Sequence, residues 1–306
     1  MESVKIFCPA TIANVSCGFD VLGLCLDTVG DEMVITKSAK PGIRITEITG
    51  AELSLEAQQN VAGVAAMALV EMLKPAIGFD IAIHKKIKAG SGIGSSAASA
   101  AGAVYGVNYL LRNPLTTNEL VYYAMQGEKL ASGSAHADNV APALLGGFTL
   151  IRSYEPLDIV KIDAPDELYA AVIHPQIELK TKDARAVLKD TVDFKKAITQ
   201  CGNIAGLISG LYTSNYELIG RSLHDELVEP LRAPLIPYFY ELKQAALDAG
   251  ALGSGISGSG PSVFALCKGE QAAKKVGYSF AAVLQPTAIA FEVHVSKINP
   301  QGIRIL

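Results

Sequence analysis

The chain has 306 residues, half of them hydrophobic, with 26 Lys and Arg against 30 Asp and Glu and a formal net charge of -4. That length holds two ordinary domains and a large core, no apolar run stays free of polar residues for the length of a membrane span, and the mild acidity argues against a nucleic-acid binder. A small-molecule ligand is the expectation, in a soluble protein of the cytoplasm. The opening MESVKIFCPA runs straight into strand-like sequence with neither a signal nor a transit peptide in view, and five scattered cysteines without C-x-x-C spacing fit reduced thiols. Cys17, in a glycine-rich loop, is the one read as a candidate reactive thiol.

In chain order, the first strand is predicted at VKIFCPA and leads into PATIANVSCGFDVLGL, residues 9–24, where Asn14, Ser16 and Asp20 surround Gly18. Two readings stand for this loop, turn residues bonding their own backbone or a polar site. Strands follow at DEMVITKS, IRITEI and FDIAIHKK, with a helix from Glu56 to Leu73 before the last of them. Next comes GSGIGSSAASA, Gly90 to Ala100, three glycines at alternate positions opening an alanine-rich helix from Ser95 to Leu111. Small residues let backbone N–H groups approach an anion closely, and the helix dipole adds attraction, so the segment reads as a phosphate cradle with Ser95 or Ser96 as helix cap or metal ligand. It is not a Walker A loop, because Ser95 and not Lys follows Gly94.

A helix from Thr117 to Ser132 carries Glu128 and runs into LASGSAHADNVAPALLGG, which brings His136, Asp138 and Asn139 into one turn-rich stretch. The set lacks zinc spacing, whereas an oxygen-rich site suits magnesium. Strands at GGFTLIRS and LYAAVIHP flank IDAPDE, where proline and charge mark the seam between domains 1–164 and 165–306. Helices are predicted at Phe194–Leu211, Tyr216–Leu227, Ile236–Ala249 and Glu270–Leu284, and strands at PSVFALC and IAFEVHVSKI. A second glycine-serine segment, Gly253 to Ser262, contains a G-x-G-x-x-G string at Gly253, Gly255 and Gly258, but it follows a helix and precedes a strand, the reverse of a dinucleotide site. Thr181, Arg185 and Arg232 are candidate anion ligands, since arginine grips a carboxylate with two parallel hydrogen bonds. The grouping of strands and helices suggests an α+β fold.

These elements in this order resemble the GHMP kinases, and most closely their homoserine-phosphorylating branch, over essentially the whole length. The resemblance rests on VKIFCPATIANVSCGFDVLGLCLD, KAGSGIGSSAASA, EKLASGSAHADNVAPALLGGF, LVEPLRAPLIPYF and GALGSGISGSGPSVFAL. It implies a first domain like the second domain of ribosomal protein S5, a ferredoxin-like second domain, a homodimer, and ATP-dependent phosphorylation of the L-homoserine hydroxyl in threonine biosynthesis. It further implies that Lys88, Ala89, Gly90, Ser91, Gly92, Ile93, Gly94, Ser95, Ser96 and Ala97 wrap the ATP phosphates, with Asn60 and Lys85 near the nucleoside. Ser96 and Glu128 would hold Mg2+. Asn14, Asp20, His136, Asp138, Thr181, Arg185 and Arg232 would surround the acceptor, braced by Gly258 and Ser259, with Asn14 and Asn139 in the catalytic set beside Ser96 and Glu128.

The chain departs from the family pattern at Lys88, where the phosphate loop usually opens with proline, and at Ser16, usually glycine. Asn139 stands where sugar and mevalonate kinases often use an aspartate base. A non-enzymatic relative would be expected to have lost Glu128 or the glycines, and this chain keeps both.

Overall fold

The protein's structure is a computed structural model that describes residues 2–133, 135–177, 179 and 181–306. β1 (Ser3–Ala13) and β2 (Leu22–Ser38) form a long antiparallel pair around the loop 14–21. β3 (Gly42–Thr49) and β4 (Gly78–His84) run parallel, joined through α1 (Val61–Leu73). α2 (Ser95–Leu110), α3 (Thr117–Ser132) and α4 (Val140–Leu145) follow, then β5 (Phe148–Tyr154) and β6 (Leu157–Ile162). β2 is the hub of this sheet. Its last residues pair with β4, its first with β5, and its outer flank with β1.

The strand predicted at DEMVITKS thus begins nine residues earlier, at Leu22. Gly23 and Gly30 both lie inside β2. In the fold they mark close approaches, because a Cβ at Gly23 would overlap the Asp138 carbonyl and one at Gly30 would meet the Cys8 carbonyl at 2.6 Å. The first helix starts at Val61 instead of Glu56, since the Asn60 side chain accepts from the N–H groups of Ala62 and Gly63 at 3.0 and 3.4 Å and caps it there.

The second sheet contains β7 (Leu168–Pro175), β8 (Gly253–Ile256), β9 (Val263–Lys268) and β10 (Phe291–Lys297) in the order β10-β7-β9-β8, all antiparallel. That 4-1-3-2 order is ferredoxin-like. Between β7 and β8 run α5 (Thr181–Ala186), α6 (Phe194–Thr213), α7 (Tyr216–Ser222), α8 (Glu229–Arg232) and α9 (Phe239–Asp248), and α10 (Glu270–Leu284) lies between β9 and β10. The helix expected over Tyr216–Leu227 ends at Ser222, and the first part of the glycine-serine segment forms strand β8.

The last residues cross the expected division at 164/165. β11 (Arg304–Ile305) pairs with β1, and Ile298 and Ile303 are buried in the core of the first sheet and its helices. The C terminus therefore returns to the first body. Among the described residues, no helix is long and apolar enough to cross a membrane.

Candidate active site

A cavity of about 910 Å3 opens between the glycine-rich segment, the loop after β1, the α3–α4 connection, α5 and α8. Gly90, Gly92 and Gly94 adopt φ of +74, +83 and +71°, a region that side chains avoid. A Cβ at Gly92 would come within 2.6 Å of the Gly260 carbonyl, and one at Gly94 would overlap the Thr11 hydroxyl. The loop is held from behind. Ser257 and Ser262 hydroxyls donate to the Gly92 and Ser91 carbonyls at 2.7 and 2.6 Å, and the Thr11 N–H donates to the Ile93 carbonyl at 3.1 Å. With those carbonyls occupied and Gly94 supplying no capping side chain, the first amides of α2 are left for an anion.

Ala89, Gly90, Ser91, Gly92, Gly94, Ser95 and Ser96 line the cavity, as do Asn60, Lys85 and Lys88. Ile93 and Ala97 do not, being packed into the hydrophobic core. Ser95 neither caps the helix nor faces a metal, because its hydroxyl donates to the Ile87 carbonyl at 3.0 Å. Lys85, expected beside the nucleoside, has its ammonium buried in an ion pair with Asp31, with further bonds to the Ser95 carbonyl (2.9 Å) and Ser99 hydroxyl (3.1 Å). It anchors the start of α2. The Lys88 ammonium donates to the Gln176 side chain at 2.6 Å, bridging the phosphate loop to the residue that follows β7.

Ser96 is hydrogen-bonded to Glu128, whose carboxyl is pushed up to about 7 by burial, against the pull of Ser96 and of the Lys85 charge. Asp138 is likewise raised to about 7, by burial first and then by Asp20 and Glu128. The Asn139 carboxamide accepts from the Thr11 hydroxyl at 2.7 Å.

The loop after β1 folds through left-handed backbone at Asn14, Val15, Ser16 and Asp20, a conformation costing on the order of 1–3 kcal/mol per residue outside glycine. Local bonds offset part of this: Asn14 donates to the Gly258 carbonyl at 2.8 Å and accepts from the Asp20 N–H at 3.0 Å. The Asp20 carboxylate takes both terminal nitrogens of Arg185 at 3.0–3.3 Å. Arg185 also donates to Nε2 of His136 at 3.0 Å, so that nitrogen is the unprotonated one, and burial holds this imidazole below its usual pKa. Buried Arg232 reaches the Ala184 carbonyl at 2.9 Å and the Gly258 carbonyl at 3.1 Å. Both guanidinium groups lie over the Phe19 ring, at 5.5 and 5.0 Å, and the Thr181 and Ser259 hydroxyls are 3.4 Å apart.

Sequence reasoning missed Phe19, although it sits inside the GFD string, and Gln176 and Leu179, which carried no local signal. Cys17 is corrected. It is buried, and burial pushes its thiol up to about 12, which makes it unreactive.

The GHMP kinases N terminal domain matches residues 59–147 and the GHMP kinases C terminal domain residues 207–285, so fold and motifs together define a GHMP kinase. A homoserine kinase of Chlorobium phaeobacteroides is 44% identical, covering 100% of both chains, and one of Xanthomonas campestris is 39% identical over 100% of this chain and 95% of its own. The crystal structure of homoserine kinase from Cytophaga hutchinsonii is 49% identical with a TM-score of 0.96, covering 100% of this chain and 98% of that one. The chain belongs to the homoserine kinase family.

Proposed function

We propose that this chain transfers the γ-phosphoryl group of ATP to the side-chain hydroxyl of L-homoserine, giving O-phospho-L-homoserine and ADP on the route to threonine. The observation that carries the reading is the Asp20–Arg185 pair beside Arg232, in the same cavity as the glycine loop. A carboxylate and two guanidinium groups side by side complement the ammonium and carboxylate of an amino acid, which an uncharged sugar would not need.

The loop of residues 90–96 and the first amides of α2 hold the triphosphate, and Asn14, His136, Asp138 and Thr181 complete the acceptor pocket, braced by Gly258 and Ser259. Asn139, fixed by Thr11, stands with Asn14 at the transfer point. Phosphoryl transfer through a loose transition state needs an aligned nucleophile and neutralised oxygens more than a strong base, so positioning two substrates side by side supplies much of the acceleration. Mg2+ fits the donor set. Glu128 and Ser96 offer hard oxygens beside the phosphate loop, the buried carboxylate favours a cation over solvent, and magnesium takes its remaining ligands from phosphates and water. Bound there, the ion would offset charge on the phosphate oxygens. A homodimer in the cytoplasm, implied by the family resemblance, belongs to the same reading and is tested by sedimentation.

The decisive measurement is ADP release against a panel of homoserine, mevalonate, shikimate and sugars. Homoserine should drive turnover well above the rest, and a better alcohol would overturn the reading. Arg232→Leu should raise the homoserine KM on the order of tenfold to a thousandfold while leaving the ATP KM near wild type, and Arg232→Lys should recover only part of this.

A further inference from the structure

The acceptor loop is strained at four positions, and its own backbone bonds, from the Gly18 N–H to the Asn14 carbonyl at 2.8 Å and from the Leu22 N–H to the Gly18 carbonyl at 2.9 Å, tie it only to itself. Asn14 and the Asp20–Arg185 pair fix its two ends to the second body, and α6 fixes its middle. There the buried Gln200 side chain donates to the Cys17 carbonyl at 2.6 Å and to Asp225 Oδ1 at 2.9 Å, and accepts from the Glu226 N–H at 2.9 Å. Asp225, equally buried, accepts from the N–H groups of Leu227, Val228 and Glu229 at 2.9, 3.1 and 2.8 Å. It thereby anchors the N-terminal end of α8, the four-residue helix that ends on Arg232. A helix this short cannot hold its own orientation, since it closes scarcely one turn.

We infer that Gln200 and Asp225 are positioning residues that lock the acceptor loop and the Arg232 helix into one register. Neither lines the 910 Å3 cavity. One amide side chain ties the carbonyl of the strained loop to the carboxylate that orients α8, so the spacing between Asp20 and Arg232 is set from α6. Loss of the tie lets either element relax, and the charged ends of an amino acid no longer meet both partners at once. Nucleotide binding, built on the glycine loop and α2, does not depend on it.

This rests on homoserine being the acceptor, and the wild-type enzyme tests that separately: no turnover with homoserine defeats the substrate reading, whereas the variants below test the tie. In steady-state kinetics with each substrate varied, Gln200→Leu and Asp225→Ala should raise the homoserine KM by about tenfold to a hundredfold and shift the ATP KM by less than about twofold. Asp225→Asn, which keeps an acceptor for the Gln200 amide, should restore most of the affinity. In an Arg232→Lys background, Gln200→Leu should add little, because the two changes act through one contact. If Gln200→Leu does not fold, Gln200→Asn, whose shorter side chain cannot span both partners, carries the same comparison. Equal loss for both substrates, or effects that add fully to Arg232→Lys, would overturn the inference.

Discussion

Glu128 concentrates two consequences in one side chain. Glu128→Gln keeps the shape and the Ser96 neighbour but removes the charge, so turnover should fall by roughly a hundredfold or more in a folded protein, and near-normal activity would count against the proposed metal role. Its titration has a stability signature. Burial raises the folded carboxyl from 4.5 to about 7. Below 4.5 both folded and unfolded forms are protonated and nothing is lost; as pH rises through the interval the unfolded state ionises first, so stability falls, and above 7 the whole penalty, on the order of 3 kcal/mol, is present. Asp138 reinforces the trend with the same sign. Melting of Glu128→Gln and wild type without ligands should therefore diverge in favour of the variant from pH 5 to pH 8, and a constant gap would mean that the carboxyl is not raised. Two glycines can be separated in the same assay. Gly94→Ala meets the Thr11 hydroxyl as well as an unfavourable φ, while Gly90→Ala meets nothing within 4 Å. The first should lose several degrees more than the second, whose cost is the backbone alone, about 1–2 kcal/mol.

At the scale of elements, helix α2 shows how a charge can serve the fold while lining the cavity. Lys85 lies under its first turn, and Asp31 accepts at once from Lys85 and from the N–H groups of Lys86 and Ile87, at 2.7 and 2.8 Å for the latter two. Lys85→Met would strand the aspartate in the interior, at a cost of about 3–5 kcal/mol. Urea unfolding should show that loss; unchanged stability with lost ATP binding would return Lys85 to the nucleoside. Which elements were legible follows from length. α3 was readable because Thr116 and Glu119 form a capping box ahead of sixteen residues of helix, and α10 because its apolar face repeats over fifteen. α4, α5 and α8, of six, six and four residues, are too short to show a period. They exist because distant groups hold them.

Across the whole molecule the tail is a structural part of the first body. Residues 298–305 bond back to Cys25, Ala143 and Gly147, and Arg304 pairs with Asp27. Removing residues 298–306 exposes two buried isoleucine sites and the edge of β1, so unfolding free energy should fall by roughly 5 kcal/mol or more, and a fragment of residues 1–164 should not fold alone. Urea titration of the truncated chain checks this, and an unchanged midpoint would contradict it.

The amino-acid sequence by itself determined the glycine loop, the order of the three glycine-rich segments, the long helices and the types of side chain available for phosphate and acceptor. Those are local properties, set by which φ values glycine alone allows, by helical period and by residue chemistry within a few positions. Tertiary structure decided the rest. Asp20 meets Arg185 across 165 positions, Gln200 meets the Cys17 carbonyl across 183, and Lys85 turns inward to Asp31 across 54. No local spacing encodes such pairings, because burial selects the partner of each charge only after the two sheets and their helices have closed on one another.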